Sequence, residues 1–408
     1  MKRSKRHATR CSLLLLLALA LAASSAWADG LLVQCPGDTD GDAVIDTPDP
    51  NHPDAVCKHL VAGDGYVTMA DGTALYMFGF ADVTGTMPDM VMHEGMLAGN
   101  FPAPTIVLDE GTEFYLTLTN VGMVVRPDLF DPHSVHFHGF PQASAIFDGV
   151  PEASIVINMG ASITYYYNIV EPGTYLYHCH VEATEHMQMG MLGNLYVRPR
   201  QNGTPYEYPP GSGRIYTQFA YNDGDGSTGY DVEIPLQLSS FDAEFHDASE
   251  TVQPLPFALM VDDYAMINGR GYPDTLVTGP LPPPMRDGEP LNGGKVSQPV
   301  SSLIQAASGQ RILLRISNLS VTRFFTLSSL GIPMKIVGHN ARLLRGPGGA
   351  DLSYLTHSVT LGGGESLDAI LDTQGVTPGT YFLYTTNLHY LSNYHEDFGG
   401  MMTEIVIQ

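Results

Sequence analysis

Thr105-Ile-Val-Leu-Asp-Glu-Gly-Thr-Glu-Phe-Tyr-Leu-Thr-Leu-Thr-Asn120 is two runs of alternating apolar and polar residues joined at a glycine turn. A period of two is the signature of half-buried strands. The second run, Gly111 to Asn120, returns as Gly309-Gln-Arg-Ile-Leu-Leu-Arg-Ile-Ser-Asn318. Pro172-Gly-Thr-Tyr-Leu-Tyr177 likewise returns as Pro378-Gly-Thr-Tyr-Phe-Leu-Tyr384. Further short strands are predicted at Ser154–Asn158 and Ile163–Asn168. Short strands at this spacing, repeated once along the chain, predict an all-β protein of two β-sandwich domains.

The remaining organisation follows from composition. Lys2, Arg3, Lys5, Arg6 and Arg10 precede an apolar stretch, Ser12 to Ala23, and Ala26-Trp27-Ala28 precedes Asp29. That order predicts a secretory signal, residues 1–28, cleaved after Ala28, and hence a periplasmic or secreted protein. The apolar run is short of a bilayer span, so no membrane anchor is predicted. Residues 29–58 read as an acidic leader, 59–199 as the first domain, 200–215 as a linker and 216–408 as the second domain. A proline- and glycine-rich excursion from the second domain covers 280–300. The 408 residues carry 19 Lys and Arg against 43 Asp and Glu, a formal charge of -24. Such a surface repels phosphates, which argues against nucleic acid and against anionic membranes.

Cys11 leaves with the signal, and Cys35 and Cys57 can pair in an oxidising compartment, which leaves Cys179 alone. Metal ligation is the best reason for a lone cysteine to stay reduced there. Around it stand His133-Ser-Val-His136-Phe-His138-Gly139 and His178-Cys179-His180, followed by His186 and Met191. On a strand, residues two apart share a face, so His136 pairs with His138 and His178 with His180, while Cys179 points the other way. Thiolate, two imidazoles and a thioether are the ligand set of a blue-copper electron-transfer centre, assigned here to His133, Cys179, His186 and Met191. The four other histidines suit copper that meets oxygen or another small ligand. A closed structural zinc site would not need them. In the leader, Asp38, Asp40, Asp42, Asp46 and Asp49 stand at positions 1, 3, 5, 9 and 12 of a loop, spacing that wraps hard oxygens around calcium. It resembles the loops of EF-hand-like and dockerin-like modules, with Gly41 at position 4 instead of 6. A solvated acidic linker is the other reading.

The HxxHxH and HCH motifs, with Asp148-Gly-Val-Pro151 between them, resemble the copper motifs of multicopper oxidases. Ile267-Asn-Gly-Arg-Gly-Tyr-Pro273 and the Arg311–Asn318 run look like the copper-free middle domain of laccases, so the resemblance covers about 60–408. It implies cupredoxin-like Greek-key sandwiches. It implies a type 1 copper at the cysteine that accepts single electrons from a small-molecule or metal-ion reductant. His136, His138, His178 and His180 would hold type 2 and type 3 coppers that reduce dioxygen to water, with Asp148 carrying protons beside them. Two-domain members complete the cluster from a neighbour's second domain, which implies a homotrimer.

The chain departs from that pattern in two places. The His180–His186 spacing is longer than in the family, and where the second domain would carry an HCH it reads Tyr384-Thr-Thr-Asn387. His339, His357, His389 and His395 are unpaired there, and His339, in a Gly-His-Asn turn after an apolar strand, is the first candidate to complete the site across a subunit interface. Ile336-Val-Gly-His339 also resembles the active-site segment of copper nitrite reductases. Those enzymes have Asp where this chain has His136, and their second-domain ligand falls near Thr386. A third reading is a copper or electron carrier, with Met87, Met90, Met92, His93 and Met96 as soft ligands for Cu(I).

Overall fold

The computed structural model describes residues 34–408, so the predicted signal at 1–28 lies outside the described residues. In the first sandwich one sheet runs Ala74–Asp82, Ala55–Thr68, Glu113–Gly122, Ser162–Asn168. The other runs Ile106–Asp109, Leu192–Arg198, Gly173–His178, His136–His138. The two runs of Thr105–Asn120 therefore do not form a hairpin. Gly111, at φ +103°, carries the chain from one sheet to the other, a backbone conformation that favours glycine. Phe114, Leu116 and Leu118 meet Tyr175, Tyr177, Leu195 and Val197 in the core between the sheets.

The second sandwich repeats the plan. Val232–Phe241 lies parallel to Arg311–Asn318, which pairs antiparallel with Glu365–Asp372. In the first, Ala55–Thr68 lies parallel to Glu113–Gly122, which pairs antiparallel with Ser162–Asn168. The opposite sheet, Ile304–Ala306, Met402–Ile407, Gly379–Thr385, Phe325–Leu330, Ser358–Leu361, closes a separate aliphatic core.

Boundaries differ slightly from those read from composition. Strand Ala55–Thr68 begins inside the leader, where Cys57 is bonded to Cys35. The linker holds a small hairpin of Tyr206–Glu207 with Ile215–Tyr216. Short polar stretches of this kind hide strand signals, because two-residue strands carry no period.

Several contacts fuse the sandwiches, and three of them set the seam. Arg315 is fully buried, bonds Glu233 at 2.6 Å and Thr174 at 3.0 Å, and lies 3.4 Å from Asp368. Helix Ala243–Glu250 of the second half inserts Phe245 into the core of the first. From the excursion, the side-chain amide of Asn292 bonds the N–H and the C=O of Tyr66, and Gln298 does the same for Thr68. The excursion thus satisfies strand-edge groups that would otherwise need water or another strand.

Candidate metal centres

Strand Gly173–His178 ends by delivering Cys179 into the core, fully buried. His133 reaches it from a bridge with Ile157, and helix Ala183–Gln188 turns the chain back so that His186 faces the sulfur. The Cys179 Sγ lies 3.2 Å from His186 Nδ1 and 3.8 Å from His133 Nδ1. Ligands held at ~2.3 Å (S) and ~2.0 Å (N) around one tetrahedral ion stand roughly 3.5 Å apart, so this spacing already suits a metal. Met191 is buried in the same cluster, and its backbone bonds both Cys179 and His186. Burial pushes the thiol up to about 12 and His186 down to about 4, with His133 also well below its usual value. Both imidazoles are therefore neutral, as ligation requires, and a cation must draw the proton from the thiol. The Nε2 atoms of His133 and His186 are buried without a partner.

On the opposite side, His136 and His178 are cross-strand partners with ring centres 5.2 Å apart. His136 Nδ1 bonds the Asp148 carbonyl at 2.6 Å, and His178 Nδ1 bonds the Cys179 carbonyl at 2.8 Å. Tying one ring nitrogen to a carbonyl frees the other for a metal. Ligand atoms of His136, His138 and His178 lie within 4.8 Å of one another, as do those of His133, Cys179 and His186. His180 lies beyond the strand end, outside that tight group, though its ring stands 5.0 Å from His136 and 5.5 Å from His178. Burial lowers His136 and His138 and takes His178 down to about 3.

Asp148 meets His136 chiefly through its backbone; its carboxylate is 3.7 Å from the same nitrogen. Gly149, at φ +81°, makes this possible, because a Cβ there would collide with the Val135 carbonyl.

A cavity of about 280 Å³ opens over His138, His178 and His180. Its far wall is the chain's own second sandwich, represented by Ser320, Val321, Gly363 and Gly364. Gly364 approaches so closely that a Cβ would come within 2.6 Å of His138 Nε2. His339 ends strand Met334–His339 and does not line this cavity; its turn packs through Ala341 against Gly173 instead.

In the leader, Asp38, Asp40 and Asp42 are drawn together. Asp46 instead accepts from Thr39 and Asp49 from Asn51. Acidic groups that the motif reading overlooks surround His186. Asp131 comes within 3.9 Å of its Nε2, and burial beside Glu182 and Asp131 pushes Glu185 up to about 7. Glu185 directly precedes His186 in the chain, which was a legible signal; Asp131 has none beyond standing two residues before His133.

All of the histidines and the cysteine of both centres fall within residues 83–202, which match the family model described as Multicopper oxidase. This stretch resembles a multicopper oxidase domain. The chain is 30% identical over 204 residues to Laccase abr2 of Aspergillus fumigatus, an overlap of 46% of this chain and 30% of that relative. The match thus spans under a third of the relative's length. Among solved structures, a blue copper oxidase from Nitrosomonas europaea superposes with a TM-score of 0.62 at 22% identity, over 86% of both chains. A copper nitrite reductase from the same organism gives 0.55 at 17% identity, over 87% of this chain and 94% of that one. The matched domain and the second sandwich are cupredoxin-like Greek-key sandwiches in an all-β chain.

Proposed function

We propose that this chain is a secreted copper oxidoreductase that takes single electrons from a small-molecule or metal-ion reductant and passes them to dioxygen. The observation that carries this is adjacency: Cys179 belongs to the thiolate centre, and its two chain neighbours, His178 and His180, belong to the histidine centre. Copper, when bound, supplies one-electron transfer at the thiolate and reduction of dioxygen at the histidines. The chain's own groups do the rest. Cys179 sits where water is excluded. His178 donates its Nδ1–H to the Cys179 carbonyl, giving a hydrogen-bonded link beside the covalent one. Asp148 orients His136 with its carbonyl and offers a partly exposed carboxylate for proton delivery. Secretion is supported by the basic, apolar, Ala-Trp-Ala order of residues 2–28 and by the Cys35–Cys57 disulfide.

The deciding experiment is copper counting with EPR on purified protein, beside oxygen and nitrite turnover. Wild type is expected to be blue and to consume oxygen, and Cys179→Ser to fold but lose the colour. A blue mutant would falsify the thiolate assignment. Turnover of nitrite alone favours the reductase reading, and colour without either turnover favours a carrier.

His138, His178 and His180 on one wall, with His136 behind them and Ser320, Val321 and two glycines opposite, cannot surround an oxygen-reducing cluster. We therefore assign the missing ligands to another copy in a homotrimer, with His339 as the first candidate. Sedimentation should give a trimer. His339→Ala should slow oxygen uptake at least tenfold, about 1.4 kcal/mol of barrier, with the blue band unchanged. A fully active monomer removes the idea. For the leader, the gathered Asp38, Asp40 and Asp42 support a calcium ion; titration calorimetry without heat on adding calcium leaves a hydrogen-bonded acidic turn.

A further inference from the structure

His246 lies on the second half's helix Ala243–Glu250, outside every motif, yet it is wholly buried against the first sandwich. The helix is fixed at its start by Asp242, whose carboxylate accepts from Phe245 N at 3.0 Å and from Val261 N at 2.5 Å. Phe245 then packs in the core cluster that contains Cys179, Met189 and Met191. One residue on, both ring nitrogens of His246 face carbonyl oxygens: Nδ1 is 2.6 Å from Tyr76 O and Nε2 is 3.0 Å from Gln188 O. The ring's face rests on Phe241, centroids 4.4 Å apart.

Gln188 is the last residue of the short helix that carries His186, and Met191 follows three residues later. Within this loop Met189 O accepts from Phe78 N, and Met191 N returns to His186 O. Two outside anchors thus hold the loop: Phe78 from the first sandwich and His246 from the second. A six-residue helix is weak by itself; the loop's own N–H groups take the Glu185, His186 and Met187 carbonyls, so the external group at the remaining Gln188 O has leverage on both His186 and Met191. A neutral imidazole has only one N–H, and two carbonyls favour a second. Burial outweighs the two carbonyls and the carboxylates of Asp242 and Asp262 and lowers the ring's pKa, so a single N–H serves the two carbonyls.

We propose that His246 is a positioning residue of the thiolate centre: through Nε2 it holds the Gln188 carbonyl and so sets where His186 and Met191 stand around Cys179. This rests on the copper reading of that centre, but the placement can be measured without copper. The full chain would be prepared as His246→Gln, whose amide nitrogen falls where Nε2 was, and as His246→Asn, whose amide nitrogen falls where Nδ1 was. The first readout is the rate at which Cys179 is alkylated in metal-free protein. The second is the blue band and copper hyperfine splitting after loading. Gln is expected to stay within about twofold of wild type in alkylation and to keep its spectrum. Asn is expected to alkylate at least tenfold faster and to shift the spectrum. If the two amides behave alike, in either direction, the assignment is overturned. If wild type takes up no copper, the copper reading fails, while the alkylation contrast still decides whether His246 positions the loop.

Discussion

His59 is a buried imidazole with a structural task. Its Nε2 meets Thr119 Oγ1 at 2.8 Å, Thr119 meets Ser162 Oγ at 2.6 Å, and its Nδ1 has no partner. Burial pushes its pKa down to about 4, against an opposing pull from Asp82. The unfolded chain takes up a proton as pH falls below ~6.5, whereas the folded chain resists until about 4. Stability that is fully present above pH 6.5 is therefore lost across that window, by an amount on the order of 3 kcal/mol. His59→Gln keeps a donor for Thr119 without titrating, so its urea midpoint should fall less than wild type's between pH 7 and pH 4.5. Equal slopes would show that other groups govern acid sensitivity. Residue chemistry of this kind is partly readable from sequence. A lone cysteine flanked by histidines names a metal at once, but carbonyl partners have no letter. That His136 is oriented by a backbone oxygen of Asp148, and His246 by those of Tyr76 and Gln188, depends on where distant strands meet.

At the level of elements, the internal repeat extends to a single asparagine. Asn120 donates to the carbonyls of Asp131 and Ile157 and accepts from Gly122 N. Asn318 donates to those of Arg323 and Leu361 and accepts from Ser320 N. Each locks the end of its long strand to two loops. Replacing either by Ala removes two bonds to carbonyls and the acceptor for a buried N–H, which should cost about 2–4 kcal/mol of stability. The consequences then diverge. Asn120 grips Asp131 and Ile157, which flank and pair with His133, so only Asn120→Ala should also change the blue absorption. Urea melts and a visible spectrum of both variants check this; identical spectra would mean that His133 is held by other contacts. The paired strands are legible because alternation reports which face is buried. Alternation does not report which sheet a strand joins, so the two runs joined at Gly111 are legible as strands while their placement in opposite sheets is not. Helix Ala183–Gln188 is too short for a helical period to stand out.

For the whole molecule, the seam between the sandwiches is ionic and buried. Arg315 stacks on Tyr196, and Asp368 also accepts from Thr174 at 2.6 Å and Tyr221 at 2.5 Å. Arg315→Met would leave buried Asp368 without its cation and Glu233 with Arg198 alone, and should destabilise the chain by about 3–5 kcal/mol. Adding Asp368→Asn should return part of that loss, and a thermal melt of the three proteins measures it. No recovery would place the main effect on Glu233. None of this is visible in composition, because the partners lie far apart in sequence and their charges look like ordinary surface residues. The insertion of Phe245 from one half into the core of the other has a practical corollary. These halves are not interchangeable cassettes. A gene cut at the linker would give a first half with a hole in its core and a second half with a bare aromatic helix. Grafting the half that carries Cys179 onto another scaffold will therefore succeed only if residues 243–250 travel with it.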